Sequence, residues 1–553
     1  MTEFIDAIAP AIGYLIPLPI LIPAITAALT LILSKFVGLQ RFVAFFSLLA
    51  TIGISVSMLL IVDQKGAQSL QVGGWDSPIG ITLVADRLST VMLAVSGLVL
   101  FAVMWFAISQ GVRDGSEQDP VAVFSPAYLL LSMGVNLSFL AGDLFNLYVG
   151  FEIFLVASYV LLTLGGSASR VKAGVGYVMV SMVSSMIFLF GLGLVYASVG
   201  TLNMAHVGLR MEEIPSGIRV AIFAVFLVAF GIKAAVFPLD AWLPDSYPTA
   251  PSLVTAVFAG LLTKVGVYAI IRVQTVIFHD GSLNTMLMWV ALATMLIGIL
   301  GAMAQNDIKR LLSFTLVSHI GYMIFGVSLG NEMGLSGTIF YAVHHILVQT
   351  ALFLVVGLIE RQGGTSSLRR LGSLAKFAPI IAVLSFTPAL NLGGIPPFSG
   401  FIGKVILIQA GAQEGGFMAW LLIGGAVATS LLTLYVMMLV WSKGFLRSRA
   451  DAPEGHLATA RPAPLAEVTD EVEITEREDV GRLPFGMLAS TAVLVAASVS
   501  ITIFADPLTS ITDRAAEAAN DVETYRSVVL GDTGAELDPG EPGRDTDISE
   551  EVD

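Results

Sequence analysis

The chain has 553 residues, 56% of them hydrophobic and only 13% charged, with a formal net charge of −14. Soluble domains carry about 25% charged residues, so a string of soluble domains is excluded and a bundle of membrane helices is indicated. The absence of cysteine also excludes disulfides, thiolate metal sites, iron–sulfur clusters and cysteine nucleophiles.

The negative charge is concentrated. Residues 451–479 hold nine acids and two bases, and residues 506–553 hold fourteen acids and three bases. The remainder is mildly basic, so two acidic hydrophilic segments are attached to a membrane body. Nothing in this pattern favours nucleic acid.

A helix needs about 20 apolar residues to cross the hydrocarbon core. In chain order, fourteen segments qualify: 8–34, 41–62, 86–109, 123–141, 144–164, 173–199, 217–237, 252–274, 284–304, 309–329, 336–359, 378–410, 417–442 and 484–505. The first lacks a basic leader and further spans follow at once, which reads as a membrane helix and not a cleaved signal peptide. Residues 64–85, with Gly73, Gly74, Pro78 and Gly80 inside an LQVGGW…IGITLV pattern, predict a short surface hairpin. The organisation expected is an N-terminal group of three helices (1–122), a core (123–442), an acidic disordered linker (443–483), a last helix (484–505) and an acidic disordered tail (506–553). A short helix near 511–519 fits within that tail.

Orientation follows from Lys and Arg placement. Loops after odd-numbered spans carry fourteen bases, among them Arg170, Lys309, Arg310, Arg369 and Arg447, against five after even-numbered spans: Lys65, Arg87, Arg210, Arg219 and Arg272. The odd loops are expected in the cytoplasm and both termini outside.

An ionisable group in a bilayer is costly and marks a pathway or a partner. Glu152 in the fifth span lies about 13 Å beyond Asp143 at roughly 1.5 Å per residue. It needs a cation or a proton, although a structural ion pair would satisfy it too. Asp143, at the helix end, fits a dipole partner equally well. Lys233, in IKAAVFPLDAWLPDSYPTAPS, precedes Pro238 and a Pro-rich break in the seventh span. Irregular backbone at depth survives where it is buried or lines a wet cavity. Lys264 repeats the theme in the eighth span. Lys404 follows a second break, GGIPPFSGFIGK, in the twelfth. Broken helices of this kind, in corresponding positions of two halves, fit an inverted repeat. In the eleventh span, His344 and His345 are adjacent and cannot share a face. His345 is favoured for the pathway because Gln349, four residues on, shares its face. His319 in the tenth span is a further candidate, as is a structural role for it. No P-loop, no GxGxxG and no metal-binding His/Cys cluster is present, so neither a cofactor nor a metal is expected.

The combination of FEI…SYVLL, IKAAVFPLDAWLPDSYPTAPS, LTKVGVY, QNDIKRLLSFTLVSHIGYM and GGIPPFSGFIGK resembles the antiporter-like subunits shared by respiratory complex I, membrane-bound hydrogenases and Mrp-type multisubunit Na+/H+ antiporters. Within that superfamily, GDLFNLYVGFEI resembles the D subunit of Mrp antiporters. The resemblance implies an all-α polytopic fold and a hetero-oligomer of several membrane subunits. The function it implies is Na+/H+ exchange across the bacterial cytoplasmic membrane; a proton-pumping subunit of a redox complex is the alternative. It also implies a relay from Glu152 and Lys233 through Lys264 and His345 to Lys404. Relatives often carry Lys where this chain has Gln349, which cannot hold a charge.

Overall fold

The computed structural model describes residue 5 and residues 8–111, 123–164, 168–454, 465–466, 474–475 and 483–531. The chain folds into a bundle of long apolar helices. Helix α1 (Leu18–Ile32) is bent by 42° against a preceding helical stretch that ends at Leu15, with Pro17 and Pro19 at the break. Then follow α2 (Val37–Lys65), α3 (Arg87–Gln110), α4 (Phe124–Leu140), α5 (Leu144–Thr163), α6 (Ala168–Val199) and α7 (Ser216–Ala234). Helix α8 runs Ser252–Val276 with a π-helical turn at Phe258–Leu262. Next come α9 (Asn284–Met303), α10 (Ile308–Leu329), α11 (Glu332–Gly363), α12 (Pro379–Gly393), α13 (Ser399–Glu414), α14 (Gly416–Val440), α15 (Phe485–Ile503), α16 (Ala505–Asn520) and α17 (Val522–Leu530). Asp86, Asp143, Asp307 and Asn331 cap the starts of α3, α5, α10 and α11 by accepting a backbone N–H of the first turn.

Among the described residues, eleven helices are long and apolar enough to span, or twelve if the bent first pair is one span. Two of the fourteen expected segments fall short of that length. Helix α4 has 17 residues. The twelfth segment is two pieces, α12 and α13, separated at 394–398 where Gly394 turns left-handed (φ 77°). The hairpin is present: β1 (Gln68–Gln71) pairs antiparallel with β2 (Thr82–Ala85), Gln68 opposite Ala85.

Contacts between loops sort by parity. Loops after odd-numbered spans meet one another: Arg170 reaches Thr249 O, Asp307 bridges Ser367, and Arg370 pairs with Glu454. Loops after even-numbered spans meet at the other end, where Asp143 bridges Asn203 and Arg219 pairs with Asp280. Helices α8 and α11 are wholly buried across their apolar windows, whereas α2, α6 and α14 are buried over only 39%. Helices α8 and α11 therefore face protein on all sides; they carry Lys264, His344 and His345, while Glu152, Lys233 and Lys404 lie on less enclosed helices.

The tail departs from the expected disorder over 505–530, and the short helix expected near 511–519 lies within a longer one. Residues 505–530 form α16 and α17, packed on the bundle end that bears the hairpin. The physical reason is a small buried stripe, Thr512, Ala515, Ala516 and Ala519 on α16, then Tyr525, Arg526, Val529 and Leu530 on α17, which acidic composition alone conceals. Most of the predicted disordered linker (455–464, 467–473 and 476–482) and the tail after 531 lie outside the described residues.

Candidate ion-translocation site

The five leading candidates sit on helices α5, α7, α8, α11 and α13 of the bundle, Glu152 near Lys233 and His345 near Lys264 and Lys404. At the α5 end, Ser185 of α6 donates a hydrogen bond to the Glu152 carboxylate. The same hydroxyl is 3.3 Å from the Lys233 ammonium, which also donates to Ser181 O at 3.1 Å. Glu152 and Lys233 are thus bridged through a serine and not by direct contact. Glu152 is half-buried and Lys233 is buried. Helix α7 stops immediately after Lys233, with Ala235 left-handed (φ 57°). Such a conformation is unfavourable for a residue with a side chain and persists where the surroundings impose it. A cavity about the size of one water is lined by Lys233 with Tyr177, Ser181, Trp242 and Tyr247 among others.

Lys264 comes next, fully buried, its amine donating to Ala259 O at 2.5 Å. Ala259 lies in the π turn, where the shifted ladder leaves carbonyls for other donors. Gly266 makes the approach of α8 to α7 feasible, because a Cβ there would sit 2.7 Å from Ala234 N.

Around His345 lies a cluster of rings. His319 and His345 have centroids 5.2 Å apart, and Tyr341 OH is 2.6 Å from His319 Nδ1. Among the described residues, no group bonds either ring nitrogen of His345, although the side chain is fully buried. Leaving a buried polar group unpaired costs about 1–3 kcal/mol, so this position suits a hydrated path better than a structural one. Lys264, His319, His344 and Lys404 all lie within Coulombic range of His345. His344 turns towards α13, with Nδ1 3.0 Å from Ser399 Oγ. At the far end Lys404 donates to Leu392 O (3.1 Å) and Ser430 Oγ (3.0 Å), and its amine lies 5.2 Å from the Tyr322 ring centroid. Left-handed Gly394 leaves the space the amine occupies, since a Cβ there would be 2.9 Å from Nζ.

Two candidates stand apart. Asp143 caps α5 through Asn146 N at 2.6 Å, the helix-end role, and is remote from Glu152. Gln349 does not bond His345; its amide donates to Leu312 O of α10 at 2.8 Å. The shared face that favoured His345 is therefore not a hydrogen-bonded pair. Both adjacent histidines join the cluster, through different neighbours.

The sequence reading missed Ser185, Ser430, Tyr322, Tyr341 and the π turn. It also counted Arg272 among loop bases. Arg272 is buried in α8 and forms a bidentate pair with Asp86 at 2.6 and 3.0 Å, with Tyr268 OH 2.9 Å away. The available signal was the spacing Lys264, Tyr268, Arg272, four residues apart on one helix face.

Known proteins resemble this chain over most of its length. The model of the family described as NADH:quinone oxidoreductase/Mrp antiporter, transmembrane, matches residues 141–433. The chain is 39% identical over 434 residues to the D subunit of a Na(+)/H(+) antiporter of Alkalihalophilus pseudofirmus, covering 78% of this chain and 87% of that one. It is 34% identical over 518 residues to the D subunit of a Na(+)/H(+) antiporter of Bacillus subtilis, covering 93% and 98%. A chain in the structure of the Mrp complex from Dietzia sp. superposes with a TM-score of 0.83 at 31% identity, over 94% of this chain and all of that one. This multi-pass helical membrane protein belongs to the NADH:quinone oxidoreductase/Mrp antiporter family, among the D subunits of its Mrp branch.

Proposed function

We propose that the chain is one subunit of a hetero-oligomeric monovalent cation/proton antiporter of the bacterial cytoplasmic membrane, exchanging Na+ for H+ at the expense of the proton-motive force. Glu152, Lys233, Lys264, His345 and Lys404 carry protons across the subunit, with His319 and His344 completing the central cluster. The loops after odd-numbered spans face the cytoplasm, and both termini and the hairpin face outside, as the bias in Lys and Arg placement favours.

The observation that carries this reading is the Glu152–Ser185–Lys233 bridge at the head of an intramembrane row of titratable groups. A buried lysine holds its proton while a carboxylate is near and releases it when the carboxylate withdraws. A hydroxyl between the two can donate to one and accept from the other. Relatives named as Na(+)/H(+) antiporter subunits support the choice of ions. The test is to tag the chain, purify its membrane partners and reconstitute them. A complex without redox subunits that exchanges Na+ for H+ supports the reading; co-purified flavin or iron–sulfur subunits with no Na+/H+ exchange overturn it.

A further inference from the structure

The structure gives the C-terminal tail a place that composition did not suggest. Helices α16 and α17 lie across the bundle end at α3, α8 and α11. They are fixed by Arg514 to Asp63 (2.8 Å), by Asp513 to Ser336 (2.5 Å), by Arg526 to Glu212, and by Ser69 and Gln71 of β1 donating to Val528 O and Val529 O. Beneath them α8 presents a polar face: Lys264, Tyr268 and Arg272, four residues apart and all buried. Tyr268 OH touches Arg272, and Arg272 holds Asp86. The row therefore runs from the central relay to the underside of the tail, where the Tyr525 ring covers the Arg272 guanidinium with its centroid 5.5 Å away. Among the described residues, two buried polar atoms at this point have no hydrogen-bond partner, Tyr525 OH and Asp143 Oδ2, and Asp143 lies within Coulombic range of Tyr525. Unpaired polar atoms cluster where water or ions pass.

We propose that Tyr268, Arg272 and Asp86 line a limb connecting Lys264 to the tail-bearing face, and that α16–α17 form the lid over its mouth. The inference rests on the antiporter reading and adds to it a route and a gate. The tail has the build of a lid. Its buried stripe on α16 is three alanines and a threonine, which bury little apolar area. Two of its ion-pair latches are partly exposed, with Arg514 at 40% and Glu212 at 46% side-chain exposure, and such pairs hold weakly. Segments held this way open before the core does. When the lid lifts, Tyr525 leaves Arg272 and water reaches Asp86; while it is seated the limb is closed.

The lack of native cysteines permits a clean test. Ser336 Oγ and Thr512 Oγ1 are 3.1 Å apart, so the double variant Ser336→Cys/Thr512→Cys can lock α16 onto α11 through a disulfide. The whole complex is reconstituted in vesicles, and transport is measured after oxidation and again after dithiothreitol. We expect at least a tenfold loss on oxidation, recovered on reduction, with the wild-type complex indifferent to both. Equal rates for the oxidised and reduced variant overturn the lid. As a second arm, Arg514→Gln/Arg526→Gln loosens the latches and should raise proton leak severalfold in the absence of Na+; an unchanged leak also counts against the lid. A wild-type complex that exchanges no Na+ for H+ refutes the antiporter reading instead, independently of the lid.

Discussion

Glu152 and Lys233 meet through a single hydroxyl: Ser185 donates to the carboxylate and stands 3.3 Å from the ammonium, which is anchored on Ser181 O. A bridge of this kind keeps the two charges coupled while leaving each free to shift, which a tight bidentate pair does not.

Removing the bridge should uncouple them. A hydrogen bond to a charged group contributes about 1.5–3 kcal/mol, so Ser185→Ala should slow transport by about 10- to 100-fold, and Ser185→Thr, which keeps the hydroxyl, should retain most of it. Exchange rates in vesicles of equal subunit content decide this; a normal rate for Ser185→Ala would leave the bridge without a function.

The two adjacent histidines should separate in their effects. His345 has ring nitrogens unbonded among the described residues and packs at a tilt against His319, whereas His344 is tied to Ser399. Transport should cease in His345→Ala, because Gln349 is committed to Leu312 O and cannot take a proton. Milder loss is expected for His344→Ala. The reverse ranking would move the central step onto His344.

The tail's seating should depend on pH. Hydrogen bonds from the Thr524 side chain and backbone hold the Asp521 carboxyl below its usual value, and Asp521 caps α17. A depressed carboxyl contributes stability above its unfolded pKa and loses it as pH falls through the folded one. Strongly acid conditions and Asp521→Ala should therefore both fray α17. Limited proteolysis near 521–531 reports this; identical cleavage at neutral pH in wild type and Asp521→Ala would contradict it.

Topology is open to a direct check. A reporter on the hairpin near Trp75, which is 68% exposed, and one at the C-terminus should both be reached by an impermeant reagent from outside intact cells. Access only from the cytoplasm would invert the orientation.

Much of this was legible in the sequence, for identifiable reasons. Lys233, Lys264 and Lys404 stood out because charge is rare in apolar helices, and the Gly/Pro runs beside Lys233 and Lys404 mark where α7 ends and α12 gives way to α13. What stayed hidden depends on contacts between helices. Ser185 and Ser430 look like ordinary membrane serines until α6 and α14 bring them to a lysine. Arg272, near the end of a span, reads as a loop base until Asp86, 186 residues away in sequence, reaches it. The π turn before Lys264 has no proline to announce it, and its lone Gly260 is a weak signal among membrane helices rich in glycine. The tail was only partly legible: a short helix near 511–519 was expected, but its full extent and packing were hidden because its acids dominate the composition while its buried alanines are inconspicuous.

The central claim is that Lys233 is a working titratable group and not a structural cation. Without it, Glu152 and Ser185 keep each other but lose the ammonium. The direct measurement is Na+/H+ exchange by the purified, fully assembled complex carrying Lys233→Ala, beside wild type at matched subunit content. The account predicts loss of exchange to the level of protein-free vesicles; exchange at the wild-type rate would contradict it.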